Sequence, residues 1–104
     1  MNYRDLEAVR QIVDNATGLE ITYAYEDLVF PDNGAFIIQF DESNTDNLFC
    51  YFQEGCNPKD QKNIFASLVN ETTKMKATME LKGAYTLEQQ DENIQIKFLQ
   101  AKPL

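Results

Sequence analysis

The stretch that decides the fold is Gly34-Ala-Phe-Ile-Ile-Gln-Phe-Asp41, followed after a polar loop by Asn47-Leu-Phe-Cys-Tyr-Phe-Gln53. Both segments are typical of β-strands, but neither shows the alternation of apolar and polar residues found in a strand with one wet face. In the first strand, one face carries Phe36, Ile38 and Phe40 and the other carries Ala35 and Ile37. In the second strand, one face carries Leu48, Cys50 and Phe52 and the other carries Phe49 and Tyr51. We therefore predict that both strands lie inside a sheet that is covered on both faces.

Length and composition indicate one globular domain that spans residues 1–104. The chain is 43% hydrophobic and 25% charged, with 4 Gly and 3 Pro, which is ordinary for a folded domain. A chain of this size buries roughly two-thirds of its unfolded surface and does not require disulfides or metals to fold. We see no linker, internal repeat or low-complexity segment.

The net charge of -8 is unevenly distributed along the chain. Residues 1–56 contain 2 basic and 11 acidic side chains, whereas residues 57–104 contain 7 basic and 6 acidic ones. Direct nucleic-acid binding is not expected, because phosphate contacts require clustered Lys and Arg. The acidic N-terminal half could attract a basic partner electrostatically, and a requirement for solubility alone also explains the excess of acidic residues.

The sequence predicts a cytoplasmic protein. The N-terminus lacks the basic and apolar regions of a signal peptide. No run approaches the ~20 apolar residues of a membrane span, so no membrane association is expected. Two cysteines separated by five residues fit a reducing compartment better than a disulfide framework.

Hydrophobic periodicity predicts two helices and five strands. Residues 3–16 have the three- and four-residue spacing of an amphipathic helix, with Asn2 as its cap and Gly18 after its end. A second helix begins at Pro58 after the cap Asn57 and fades near Thr72 and Thr73. The strands are predicted at residues 19–30, with a β-bulge at Glu26-Asp27, at 35–41, at 48–53, at 75–87, and from Ile94 onward; Pro31–Gly34, Asp41–Asn47 and Gln89–Asn93 are turns.

The predicted fold class is α+β, in the order α-β-β-β-α-β-β. We expect one antiparallel sheet of about five strands with both helices packed on one face. This order of elements resembles that of small acidic secretion chaperones, which run α-β-β-β-α-β-β-α and dimerise to bind an effector segment. The resemblance covers most of the chain as topology only. It implies a chaperone-like adaptor, although only Gln100–Leu104 remain for the last helix of that pattern.

Residues that carry chemistry form no convincing catalytic or metal-binding group. Cys56 precedes a helix, where backbone amides lower a thiol pKa, but the chain has no histidine to act as its base. Cys50 is expected in the core. The Asp41–Asn47 loop is rich in oxygen ligands, yet the Gly and Glu positions of an EF-hand are occupied by Asp46 and Phe52. No metal and no cofactor are expected.

The aromatic residues favour a non-enzymatic domain that binds a protein partner or a second copy of itself. Two helices cover only one face of a five-stranded sheet, so the other face exposes apolar groups, which usually marks an interaction site. Ile37, Phe49 and Tyr51 are the predicted partner-binding residues. One alternative is an acidic inhibitor or nucleic-acid mimic, with candidate residues Glu20, Glu26, Asp27, Asp41, Glu42 and Asp46. A second alternative is a small thiol-dependent enzyme that uses Cys56.

Overall fold

A computed structural model describes residues 1–32 and 34–100. Within these residues the chain forms two helices and a six-stranded mixed sheet, which confirms the α+β class. The elements are α1 Leu6–Thr17, β1 Ile21–Tyr25, β2 Leu28–Pro31, β3 Phe36–Phe40, β4 Asn47–Gln53, α2 Pro58–Lys74, β5 Thr78–Gln90 and β6 Asn93–Gln100. The strands lie side by side in chain order, from β1 at one edge to β6 at the other.

Both helices begin and end where their capping residues dictate. Asp5 caps α1 by accepting a hydrogen bond from the Ala8 amide, so the helix starts three residues later than an Asn2 cap predicts. Gly18 ends α1 in the left-handed conformation with φ 75°, as predicted. Asn57 caps α2 and Pro58 occupies its first turn, which confirms the predicted start.

The segment predicted as one bulged strand at residues 19–30 is a hairpin of two strands. Glu26 and Asp27 form its two-residue turn, with Glu26 at φ 53°. Tyr25 pairs with Leu28 across that turn, and paired residues face the same side of a sheet. The prediction of a bulge was wrong. A two-residue turn and a bulge both move the apolar residues from odd to even positions, so the sequence pattern alone does not distinguish them. The hairpin gives the sheet six strands instead of five.

The two opening strands lie in the middle of the sheet, as predicted. β2 pairs antiparallel with β3, and β3 pairs antiparallel with β4 in an unbroken five-residue register from Phe36↔Phe52 to Phe40↔Leu48. The predicted turn before β3 includes Asn33, which lies outside the described residues.

The prediction of an all-antiparallel sheet was wrong at one pair of strands. β4 and β5 run parallel, because α2 carries the chain back from the end of β4 to the start of β5. The observed order is α-β-β-β-β-α-β-β, with one more strand before the second helix than the secretion chaperones have. The resemblance in element order therefore does not hold for this chain.

A register shift in β5 divides that strand into two parts. Cys50 pairs with Leu81, but the next residue, Tyr51, pairs with Gly83, so Lys82 is an extra residue in the ladder. β4 ends its pairing at Tyr85, and beyond it Thr86–Gln90 pair only with β6. We call residues 86–97 of this hairpin the arm.

Both helices pack on one face of the sheet, as predicted. The main core lies between them and β2–β5. Its buried members are Val9, Ile12, Val13, Val29, Phe36, Ile38, Phe40, Leu48, Cys50, Phe52, Leu68 and Met79. Neither helix in the described part of the chain is long and apolar enough to cross a membrane.

A helix-free apolar face as the candidate functional site

The side of the sheet opposite α1 and α2, which we call the helix-free face, carries the second apolar set. One row of paired residues crosses five strands of this face: Tyr25, Leu28, Gln39, Phe49 and Glu80. A parallel row includes Ile37, Tyr51 and Gly83. All three predicted partner-binding residues, Ile37, Phe49 and Tyr51, therefore lie together on the face that the helices leave uncovered.

The centre of the helix-free face is a small buried cluster of its own. Ile37 is 1% exposed, Tyr51 is 7% exposed and Tyr85 is 3% exposed, and Leu28, Phe30, Phe49 and Ile96 pack around them. The cover comes from side chains of the neighbouring strands β5 and β6. The ring of Phe98 on β6 lies 4.5 Å from the ring of Tyr51, centroid to centroid. Ile37 and Tyr51 are thus the floor of the face, while Phe49 remains half-buried.

Hydrogen bonds fix the polar atoms of this floor. The Tyr51 hydroxyl donates to Gln39 Oε1 at 2.8 Å, and Gln39 Nε2 donates to Asp27 Oδ2 at 2.9 Å. The Tyr85 hydroxyl donates to the Gly34 carbonyl, which ties β5 to the loop before β3. Burial raises the pKa of both phenols, and the Asp27 carboxylate adds to the effect at Tyr51. The polar groups of Tyr51, Gln39 and Tyr85 therefore all have hydrogen-bond partners within the chain.

Two opposite charges lie on β5 beside Phe49. Lys82 Nζ sits 4.0 Å from the centroid of the Phe49 ring, a favourable cation–π arrangement. Glu80 pairs in register with Phe49, is exposed, and forms no ion pair with another described residue. Asp27 also lies on this side, and the Asp41 carboxylate borders it, because Lys82 helps the hydrogen bonds from Asn47 and Ser43 to lower the pKa of Asp41.

Five large side chains remain exposed around the floor, and we call them the rim. They are Tyr23, Tyr25, Leu87, Ile94 and Phe98, with exposed fractions from 41% to 69%. Tyr23 packs against Phe30 at 5.7 Å between ring centroids. Leu87, Ile94 and Phe98 follow the two-residue period of β5 and β6 from the floor residue Tyr85. Each rim residue exposes on the order of 100 Å² of mostly apolar surface.

Sequence reasoning missed the contribution of the arm. Strict alternation placed Met79, Leu81, Tyr85 and Leu87 on one face, whereas the extra residue Lys82 sends Tyr85 and Leu87 to the opposite side. Gly83 was the available signal, because a glycine inside a strand often marks a bulge. Leu81, which precedes the shift, stays on the helix side, next to Phe52 and Phe65 of the main core.

Both cysteines are free, and the pKa of each thiol is raised rather than lowered. Cys50 is in the main core as predicted, and burial raises the pKa of its thiol far above the ordinary value. Burial and the Asp60 carboxylate also raise the pKa of Cys56, which is the opposite of the expected effect of a helix start. Cys56 Sγ donates a weak hydrogen bond to its neighbour, the Asn57 carbonyl, at 3.8 Å.

Five of the six carboxylates proposed for an acidic surface gather at one end of the sheet, in the β1–β2 turn and the β3–β4 loop. Several have internal partners. Glu42 pairs with Arg4, Asp46 with the N-terminal amine, and Asp27 with Gln39. Asp41 accepts hydrogen bonds from Asn47 and Ser43, which lower the pKa of Asp41 to about 2. No group of three potential ligands suitable for a metal occurs among residues 1–32 and 34–100.

Comparisons with protein-family models, with curated proteins and with solved structures find no match to this chain.

Proposed function

We propose that this protein is a non-enzymatic binding domain whose helix-free face docks onto an apolar protein surface. The observation that carries the proposal is the contrast within that face. A buried, hydrogen-bonded floor supports a rim of five large side chains that remain exposed. Folding alone requires the floor but not the rim, since exposed apolar groups contribute little to the stability of a single chain.

The size of the rim supports the same conclusion. Five side chains at roughly 100 Å² each give about 500 Å², in the upper part of the range for the largest apolar patch on a monomer. The partly exposed Leu28, Phe30, Phe49 and Ile96 extend this surface across the sheet. Aromatic residues dominate it, as they do at the centres of protein interfaces.

An experiment with matched leucines tests this proposal. Leu87 on the helix-free face is 54% exposed, and Leu81 on the helix side is 47% exposed on the same strand. Solution mass and binding of the hydrophobic dye bis-ANS are measured for the wild type, Leu87→Ser/Ile94→Ser and Leu81→Ser. We expect the wild type either to self-associate or to bind dye, and the arm variant to lose that property while Leu81→Ser keeps it.

A wild-type protein that is monomeric and binds no dye would contradict the proposal. Circular dichroism provides the folding control, because a substitution at an exposed position away from special contacts usually changes stability by within about 0.5 kcal/mol. Substitution of Phe49 and Tyr51 by Ser is a poorer test, since the Tyr51 side chain is part of the buried floor.

The acidic end of the sheet supports a second candidate function, docking of a basic partner. Its support is the convergence of Glu26, Asp27, Asp41, Glu42 and Asp46 in two adjacent loops. Such a complex weakens steeply as salt rises, because exposed charges are screened within about 8 Å at physiological ionic strength. An apolar interface does not respond in this way. Binding to a polylysine probe at low and high salt separates the two functions.

A further inference from the structure

We propose that the occupant of the helix-free face is a second copy of this chain, which packs face to face through a two-fold interface that includes the arm. This inference rests on the proposed function and names its partner. Three observations favour a second copy over a foreign protein: the distribution of charge, the order of the opposite charges Glu80 and Lys82 on β5, and the available area.

The distribution of charge is the first observation. The chain has a net charge of -8, so two copies repel each other through most of their surfaces. The helix-free face carries few of these charges: Asp27, Glu80 and Lys82 lie on this side, and the Asp41 carboxylate borders it near Lys82. A face-to-face contact therefore brings together two surfaces that carry few charges. The remaining carboxylates, in the loops at the end of the sheet and on the helices, stay in solvent.

The order of charges on β5 is the second observation. Glu80 and Lys82 are two residues apart, both face this side, and have opposite signs. In a two-fold interface, residue i of one copy meets residue j of the other, and residue j meets residue i. A two-fold axis that passes between Glu80 and Lys82 therefore places each carboxylate beside the partner's ammonium. This part of β5 is complementary to itself in charge.

The third observation is area, and it involves the arm. A stable interface of standard size buries about 800 Å² on each partner. The rim supplies about 500 Å² of this, and the half-buried Leu28, Phe30, Phe49 and Ile96 bring the face toward the remainder. Leu87 and Ile94 lie in the arm, where β5 and β6 pair with each other and with no other strand. Both side chains are more than half exposed, so among the described residues nothing covers them fully.

A charge-swap experiment tests the proposal by sedimentation velocity across a range of concentrations. We expect the wild type to form a dimer whose dissociation constant does not rise with salt. Glu80→Lys and Lys82→Glu each place like charges together and are expected to weaken the dimer about tenfold. The double swap Glu80→Lys/Lys82→Glu restores the opposite charges and is expected to recover most of the affinity.

The outcomes separate this inference from the proposed function. Full affinity in both single charge variants, or no recovery in the double swap, overturns the two-fold arrangement centred on β5. A wild type that stays monomeric to about 100 µM but binds bis-ANS through Leu87 and Ile94 overturns the second copy and leaves the proposed function intact. A monomer that binds no dye overturns both. Because Glu80 and Lys82 are exposed, these variants remain informative even where Leu87→Ser/Ile94→Ser fails to fold.

Discussion

The two faces of this sheet share the same central strands but are covered in different ways. On one face, α1 and α2 seal the side chains of Phe36, Ile38 and Phe52. On the other, Ile37 and Tyr51 are covered by side chains of the sheet itself, including Tyr85 and Phe98, and the rim around them stays exposed. The lesson is that burial of a residue does not show that its whole face is closed. The helix side is sealed, and the helix-free side combines a buried floor with exposed apolar side chains around it.

The largest effect is expected for loss of a large side chain from the helix side. Phe52 is 1% exposed and packs against Phe36 at 6.0 Å between ring centroids. Phe52→Ala removes this packing and leaves a cavity, so the free energy of unfolding should fall by about 3–5 kcal/mol. Urea denaturation measures the change. A loss below about 1 kcal/mol would show that the helices do not seal this face.

Adjacent isoleucines offer a matched comparison of the two faces. Ile38 points to the helix side and Ile37 to the helix-free side, and both are essentially fully buried. We expect Ile38→Ala to cost about 3–4 kcal/mol and Ile37→Ala about 2–3 kcal/mol, because the floor has fewer buried neighbours. Urea denaturation of the two variants under identical conditions tests this. If Ile37→Ala left the free energy of unfolding nearly unchanged, the side chains of β5 and β6 would not cover the floor.

These predictions also show how far the sequence determined the fold. Periodicity located both helices, their capping at Gly18 and Asn57, and the central strands β3 and β4, because these features depend on local patterns. Periodicity did not distinguish a hairpin from a bulge at Glu26-Asp27, since either one moves the apolar residues from odd to even positions. The parallel pairing of β4 with β5 depends on where α2 returns the chain, which is a long-range property.

The candidate site was predictable in part for the same reason. Alternation grouped Ile37, Phe49 and Tyr51 on one face, but both faces of the hairpin were apolar enough to receive the helices. Gln39 and the Tyr51 hydroxyl were the local signal, because their polar atoms suit the less sealed side. Their hydrogen bond, and the one from Gln39 to Asp27, lie on that side. The rim residues of the arm depend on the extra residue Lys82, which strict alternation does not reveal.

A smaller effect is expected at the hydrogen bond that holds the hairpin over the floor. Tyr85→Phe deletes the hydroxyl that donates to the Gly34 carbonyl and should reduce the free energy of unfolding by about 1 kcal/mol. Tyr23→Phe is the matched control, because the Tyr23 hydroxyl has no hydrogen-bond partner among the described residues and its loss should be neutral. Equal stability of the two variants in thermal unfolding would argue against the tie between β5 and the β3 loop.

The floor also predicts how stability depends on alkaline pH. The pKa values of Tyr51 and Tyr85 are raised above the ordinary value of 10.0, so the folded state holds these protons more tightly than the unfolded state. The stability they contribute is complete below pH 10 and is lost as pH rises through the folded pKa values. Urea titrations from pH 9 upward should therefore show a declining free energy of unfolding, with a shallower decline in Tyr85→Phe. A parallel decline in that variant would contradict a buried Tyr85.

The smallest effect is expected in the β3–β4 loop, at the acidic end of the sheet. Asn47 and Ser43 lower the pKa of Asp41 to about 2, below its ordinary value of 3.8. The contribution of this carboxylate is therefore present above about pH 4 and is lost as pH falls toward 2. Asp41→Asn should flatten this part of the acid-unfolding curve and leave solution mass unchanged. A change of mass in Asp41→Asn would place the association surface at the acidic end instead of the helix-free face.

The most direct test of the account is carbene footprinting of the wild-type protein at low and high concentration, read out by mass spectrometry at single residues. Leu87, Ile94 and Phe98 report on the helix-free face, and Leu81 serves as the internal control on the helix side. The account predicts that the three rim residues are labelled at low concentration and protected at high concentration, while Leu81 is labelled equally at both. Rim labelling that is absent at low concentration, or that does not change with concentration, would contradict an exposed face that pairs with a second copy.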